Sequence, residues 1–183
     1  MKRRPGPTVC VFCGSSAGGN PRHLEAAEAL GRALARRGLG LVYGGSHCGL
    51  MGAMADAALQ GGARVVGVMP KALVELERAH QGLSDLIITE DMHTRKAAMS
   101  QLADGFLALP GGFGTLDELF EIVTWAQLGF HGKPIGLLNS DGYWDGLMAF
   151  LAHSHAEGFI SAGSLARLRC HAEPEGILEL LGV

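Results

Sequence analysis

Apolar residues follow two rhythms along the chain. Short runs that are apolar at nearly every position occur at Thr8–Cys13, Leu39–Tyr43, Arg64–Met69, Leu86–Thr89, Phe106–Leu109 and Pro134–Leu138. Runs of this length, bounded by Gly, Pro or Asn, predict strands covered on both faces. Between them apolar positions recur three and four apart. Asn20-Pro21 supplies an N-cap and a proline at the first helical position; Leu24, Ala27, Leu30 and Leu34 follow, and Gly38 ends the helix. Further helices are predicted from about Gly49 to Gln60, over His93–Ala103, over Thr115–Leu128, from about Tyr143 to Glu157, and at Glu175–Leu181. In the Thr115–Leu128 helix, Leu116, Leu119, Phe120, Val123 and Gln127 form the expected core stripe. Residues 72–84 carry no readable pattern.

This alternation predicts an α/β fold: a doubly wound, mostly parallel sheet with helices on both faces. Right-handed crossovers put the C-terminal strand ends on one edge, where open α/β sheets bind their ligands. Glycine clusters after the first, second and fifth predicted strands all fall on that edge.

The length of 183 residues predicts one domain spanning residues 1–183. With 48% hydrophobic and 18% charged residues, general disorder is excluded. A net charge of −3 lacks the basic excess of a broad nucleic-acid or membrane surface, so neither partner is expected. The basic N-terminus has no apolar segment of signal-peptide length behind it, so a cytoplasmic location is expected. Cys10 and Cys13 lie three apart in a predicted strand and so point to opposite faces. They read as small buried hydrophobes, not as a redox or metal pair. The eight histidines show no metal-ligand spacing, and no metal is expected.

Pro110-Gly111-Gly112-Phe113-Gly114-Thr115-Leu116-Asp117-Glu118 follows a strand and opens a helix. Glycines there let several backbone N–H groups converge, and the helix N-terminus adds positive potential. The combination predicts an anion site, most simply for a phosphate, with Thr115 either capping the helix or donating to the anion. The loop is neither a P-loop nor a dinucleotide fingerprint. Glu118 and Glu121 share a helix face, and Glu118 falls about one turn from the anion, where a sugar would lie. Asp117 reads as a partner of the helix dipole. Arg95 and Lys96 place two cations at a helix start, against the dipole, and an anionic ligand would resolve that conflict. His93 is either a substitute N-cap or a pocket residue. Gly44-Gly45-Ser46 and Gly14-Ser15-Ser16 are two further loops on the same rim.

Pro110–Glu118 fits the pattern PGGxGTxxE and Met92–Met99 fits MHxRKxxM. With Gly44–Gly52, Thr124–Gly129 and Lys133–Asn139, the chain resembles the Lonely Guy family of cytokinin riboside 5′-monophosphate phosphoribohydrolases from Val9 to about Ile160. The resemblance implies a Rossmann-like fold, a homodimer, and hydrolysis of the N-glycosidic bond of an adenine-type nucleoside monophosphate without metal or redox cofactor. It implies Arg95 and Glu118 as the catalytic pair. Gly111, Gly112, Gly114 and Thr115 would hold the 5′-phosphate; Lys96, Glu77 and Thr124 would contact substrate. Glu121, Gly44, Gly45 and Ser15 complete the expected substrate-binding set. Where the family commonly has three glycines this chain has Ser46 third, a change of loop φ or an added pocket hydroxyl that bears on substrate preference. Family members have carried the label lysine decarboxylase, yet no pyridoxal-phosphate site is readable around Lys2, Lys71, Lys96 or Lys133. Cleavage of plain AMP, and a non-catalytic nucleotide or cofactor carrier on the same fold, are the alternatives.

Overall fold

The computed structural model describes residues 6–74 and 79–183. Seven strands form one sheet: β1 (Thr8–Phe12), β2 (Gly40–Tyr43), β3 (Val65–Pro70), β4 (Asp85–Thr89), β5 (Gly105–Ala108), β6 (Ile135–Leu138) and β7 (Leu168–His171). Every pairing between these strands is parallel, in the order β4-β3-β2-β1-β5-β6-β7. The helices are α1 (Pro21–Arg36), α2 (Gly49–Gln60), α3 (Met92–Leu102), α4 (Phe113–Gln127), α5 (Asp145–Ala156), α6 (Ala162–Leu165) and α7 (Pro174–Leu181). Asn20 caps α1 as expected, its side chain accepting the Arg22 N–H at 3.0 Å.

Alternate residues of β1 feed two cores. Val9, Val11 and the following Cys13 pack with Leu30 and Leu34 of α1, Met54 of α2 and Ile177 of α7. Cys10 and Phe12 pack on the other side with Met99 of α3, Leu119 and Ile122 of α4 and Leu151 of α5. The helices therefore cover both faces. Cys10 and Cys13 stand on opposite faces, fully enclosed, and burial pushes both thiols up, with the Glu118 charge adding to it. They pack as hydrophobes.

The chain winds outward from β1 to β4 and returns through α3 to β5, beside β1. This is the topological switch point, where the loops after two adjacent strands diverge. Those loops touch: Gly14 N–H donates to Pro110 O at 3.0 Å.

Three expectations change. β4 is an edge strand and leaves Leu86 and Ile88 exposed instead of covered on both faces. α6 and β7 carry no clear periodic signal: of Leu168–His171 only Leu168 is buried, and the strand exists because β6 offers it an edge. In α4 the buried residues are Thr115, Glu118, Leu119, Ile122 and Ala126, so the core stripe is turned by about one position from the expected one. Leu116, Phe120 and Val123 are only half-buried and Gln127 is exposed. Among the described residues no helix is long and apolar enough to cross a membrane.

Candidate active site

The glycine loop after β5 is shorter than the sequence suggests. α4 begins at Phe113, with Gly112 as its N-cap and no side chain capping it. Thr115 is thus the third residue of the helix and not its cap; it is 3% exposed. The N–H groups of Phe113, Gly114 and Thr115 have no acceptor within the helix and form its positive end. Gly111 sits where nothing larger fits: a Cβ there would lie 2.9 Å from Gly14 N and closer still to Thr115 Oγ1. At Gly112 and Gly114 a Cβ would meet nothing within 4 Å among the described residues. The loop is therefore packed tightly underneath and open above, the shape an anion cradle needs.

α3 faces α4 across this edge. Asp91 caps α3, accepting the Thr94 N–H at 2.8 Å, while the Thr94 hydroxyl oxygen accepts the Asp91 N–H at 3.3 Å. His93 is exposed and is not the cap. Arg95 and Glu118, 5% and 8% exposed, meet at 3.3 Å between Nη1 and Oε1. Arg95 Nε also donates to Val68 O of β3 at 2.9 Å. Gly44 forms the wall behind the guanidinium, since a Cβ there would lie 2.4 Å from Nη2.

Lys96 Nζ lies 3.1 Å from both Asp117 Oδ2 and Glu121 Oε1. Burial alone would pull this amine down, but the hydrogen bonds and charges of Asp117 and Glu121 outweigh it and hold Lys96 above its usual value. Two readings are corrected here. The cations opening α3 are balanced by acids of α4, so the dipole conflict is resolved inside the protein before any ligand binds. Asp117, the fifth residue of α4 and so beyond its first turn, is a partner of Lys96 and not of the helix dipole. Glu121 Oε2 is buried without a hydrogen-bond partner in the described structure.

The remaining candidates are placed less tightly. Gly44 and Gly45 are buried under the rim, and Gly45 has the positive φ of 84° that suits glycine. Ser46 is fully buried; its Oγ accepts the Cys48 N–H at 3.1 Å, and its φ is not in the left-handed region. It alters the loop's internal bonding, and its hydroxyl is not exposed on the rim. Ser15 is exposed, with its backbone against the start of α2 at Gly49. Thr124 is exposed on α4, its hydroxyl donating to Phe120 O at 2.7 Å, in an open hollow shared with Phe113, Leu116, Phe120 and Glu121. Glu77 lies outside the described residues. Sequence reasoning missed Tyr143, whose hydroxyl donates to Gly111 O at 2.6 Å. Its position at a helix start gave no signal of a contact 32 residues away.

A Schiff-base lysine must become a neutral amine, which desolvation or a neighbouring cation favours. Lys96 is held as an ammonium by two acids. Lys133 Nζ donates to Ser100 O at 2.7 Å, and Lys71 is exposed. Among the described residues these lysines do not fit a pyridoxal phosphate.

A family model described as "Possible lysine decarboxylase" matches residues 51–181. A cytokinin riboside 5′-monophosphate phosphoribohydrolase of Arabidopsis thaliana is 52% identical over 153 residues, covering 84% of this chain and 70% of its own. The protein of the same description from Rhodococcoides fascians is 46% identical over 177 residues, 96% of this chain and 89% of its own. Among solved structures, the molybdenum cofactor binding protein of Rippkaea orientalis superposes with a TM-score of 0.74 at 23% identity, over 100% of this chain and 98% of that one. The Moco carrier protein of Chlamydomonas reinhardtii gives 0.72 at 22%, over 96% and 95%. At such identities the two structures share the fold with this chain.

Proposed function

The chain belongs to the family of the cytokinin riboside 5′-monophosphate phosphoribohydrolases, and from that membership we propose that it hydrolyses the N-glycosidic bond of an adenine-type nucleoside 5′-monophosphate to free base and ribose 5-phosphate. The observation that carries the reading is the buried Arg95–Glu118 pair, 3.3 Å apart, which joins α3 to α4, the helix whose open glycine N-terminus suits a phosphate.

The 5′-phosphate binds the N–H groups of the Gly111–Thr115 turn and the positive end of α4. That contact, remote from the broken bond, orients the sugar over Glu118. As the bond from C1′ to the base nitrogen lengthens, positive charge grows on the ribose. The Glu118 carboxylate, one helical turn from the cradle, stabilises that charge and takes a proton from the water that attacks C1′. The departing base takes the bonding electron pair and is protonated on a ring nitrogen, while the proton that Glu118 took from the water is returned through solvent, which restores the carboxylate. Arg95 pairs with Glu118 at 3.3 Å and aims it, and its planar fork places a cation beside the reacting carboxylate. Lys96 and Glu121 brace the two helices against each other.

An N6-substituted adenine is the preferred base, by analogy with the relatives' substrates. The carrier alternative leaves the Arg95–Glu118 pair without a task. The assay incubates the protein with AMP, with isopentenyl-adenosine 5′-monophosphate and with the corresponding riboside, and measures free base. Release from the isopentenyl monophosphate well above release from riboside is expected. Equal turnover of riboside and monophosphate refutes the phosphate reading, and no release from either monophosphate leaves the carrier.

The enzyme works as a homodimer. α4 turns a second apolar face outward, with Phe113 93% and, just beyond its end, Phe130 73% exposed. Such a surface is a liability on a monomer and suits a second copy. A monomer by light scattering at micromolar concentration would overturn this.

A further inference from the structure

The segment 139–144, between β6 and α5, is tied down by bonds that the reaction chemistry does not require. Asn139 Oδ1 accepts the Trp144 N–H at 2.7 Å, and its Nδ2 donates to Asp145 Oδ1 at 2.7 Å. Asp141 takes a left-handed φ of 54°, the one non-glycine to do so among the described residues. Its carboxylate accepts from Asn20 Nδ2 at 2.6 Å and from Arg22 Nη1 at 2.9 Å, both at the start of α1. Left-handed backbone at a non-glycine persists where surrounding contacts over-determine it, and such residues cluster at functional sites. Two residues on stands Tyr143. Its ring is packed edge-on against His23 at 5.4 Å and Trp144 at 4.8 Å between centroids. Its hydroxyl donates to Gly111 O at 2.6 Å.

That carbonyl belongs to the Gly111–Gly112 peptide, whose other end is the Gly112 N–H, the donor just before α4. The peptide is trans and planar, so its carbonyl and its N–H point in opposite directions. Fixing the Gly111 oxygen therefore fixes where the Gly112 N–H aims. The peptide joins two glycines, and no side chain restrains its rotation. The geometry points to Tyr143 as a positioning residue of the phosphate cradle: its hydroxyl holds the Gly111–Gly112 peptide so that the Gly112 N–H is presented to a phosphomonoester. This inference rests on the phosphate reading of the loop.

Tyr143→Phe removes the hydroxyl and keeps the ring. Calorimetry with ribose 5-phosphate and steady-state kinetics with the nucleoside 5′-monophosphate and its riboside test the role. A neutral hydrogen bond of ordinary strength predicts a rise of about threefold to tenfold in Kd for ribose 5-phosphate and in KM for the monophosphate. The preference for monophosphate over riboside should shrink by the same factor, with a smaller change in kcat. Tyr143→Leu, which lacks both hydroxyl and ring, should weaken ribose 5-phosphate binding at least as much. Two results overturn the inference while wild type still prefers the monophosphate. One is wild-type binding by the Phe variant, whether or not the Leu variant is impaired; the other is an equal loss on riboside and monophosphate. A wild-type protein without that preference instead refutes the phosphate reading itself.

Discussion

Gly44→Ala is a small change aimed at Arg95 from behind. Gly44 has an ordinary backbone conformation, so alanine carries no backbone strain there. The added methyl would lie 2.4 Å from Arg95 Nη2 and 3.0 Å from Met51 Sδ, whereas ordinary van der Waals contact begins at 3.4 Å. Met51 can yield a few tenths of an ångström. The guanidinium must yield about 1 Å, and it is held by Val68 O at 2.9 Å and Glu118 at 3.3 Å. A shift of that size stretches or breaks one of the two bonds. Overpacking of this kind costs about 1–3 kcal/mol, which lowers Tm by several degrees in a domain of this size. Misplacing a catalytic group by ~1 Å costs on the order of 10²-fold in rate. The assay pairs kcat/KM for base release from the nucleoside monophosphate with a thermal melt. A folded Gly44→Ala protein with kcat/KM within about threefold of wild type would refute the reasoning, because a displaced Arg95 would then not matter.

Glu118→Gln keeps shape but loses the charge; kcat should fall by ~10²–10⁴-fold with KM changing little, and near-normal kcat would sink the assignment. Asp117→Asn weakens an ion pair whose carboxylate is 58% exposed, so it should cost only ~0.2–1 kcal/mol in chemical denaturation and leave turnover nearly intact; a larger loss than from Glu118→Gln would reverse the roles. His131 should make stability pH-dependent. Its Nε2–H donates to Ile122 O at 3.0 Å and its Nδ1 accepts the Lys133 N–H at 3.2 Å, an arrangement that only the neutral ring allows. Burial first, with the Lys133 and Arg167 charges, lowers its pKa below 6.5, against the opposing bond to Ile122. The unfolded chain therefore binds the proton more readily, so the contribution is complete above pH 6.5 and is lost as pH falls through the lower folded value. Urea denaturation between pH 7.5 and 5 should show this slope, and His131→Gln should flatten it; an unchanged slope refutes the assignment.

The sequence by itself determined that β1 to β6, the five longer helices and α7 exist, and where the glycine loops fall between them. Those features depend on local physics: side-chain period, caps such as Asn20-Pro21, and glycines where the chain must turn. It also carried the Arg95 and Glu118 motifs, because both residues lie in compact patterns at helix starts. What it could not determine is which face of α4 enters the core. Leu116, Phe120 and Val123 form as good a stripe as Leu119, Ile122 and Ala126, and hydrophobicity alone favours keeping Glu118 outside. Glu118 goes inside because Arg95, from another helix, meets it there, and a buried charge is tolerated only with such a partner. The same holds for Lys96, whose conflict with the α3 dipole is settled by Asp117 and Glu121. β7 exists because β6 has a free edge, and Tyr143 reaches Gly111 because the β6–α5 loop returns to the switch point. Each is a contact between segments distant in the chain, which local periodicity cannot encode and the closed fold alone decides.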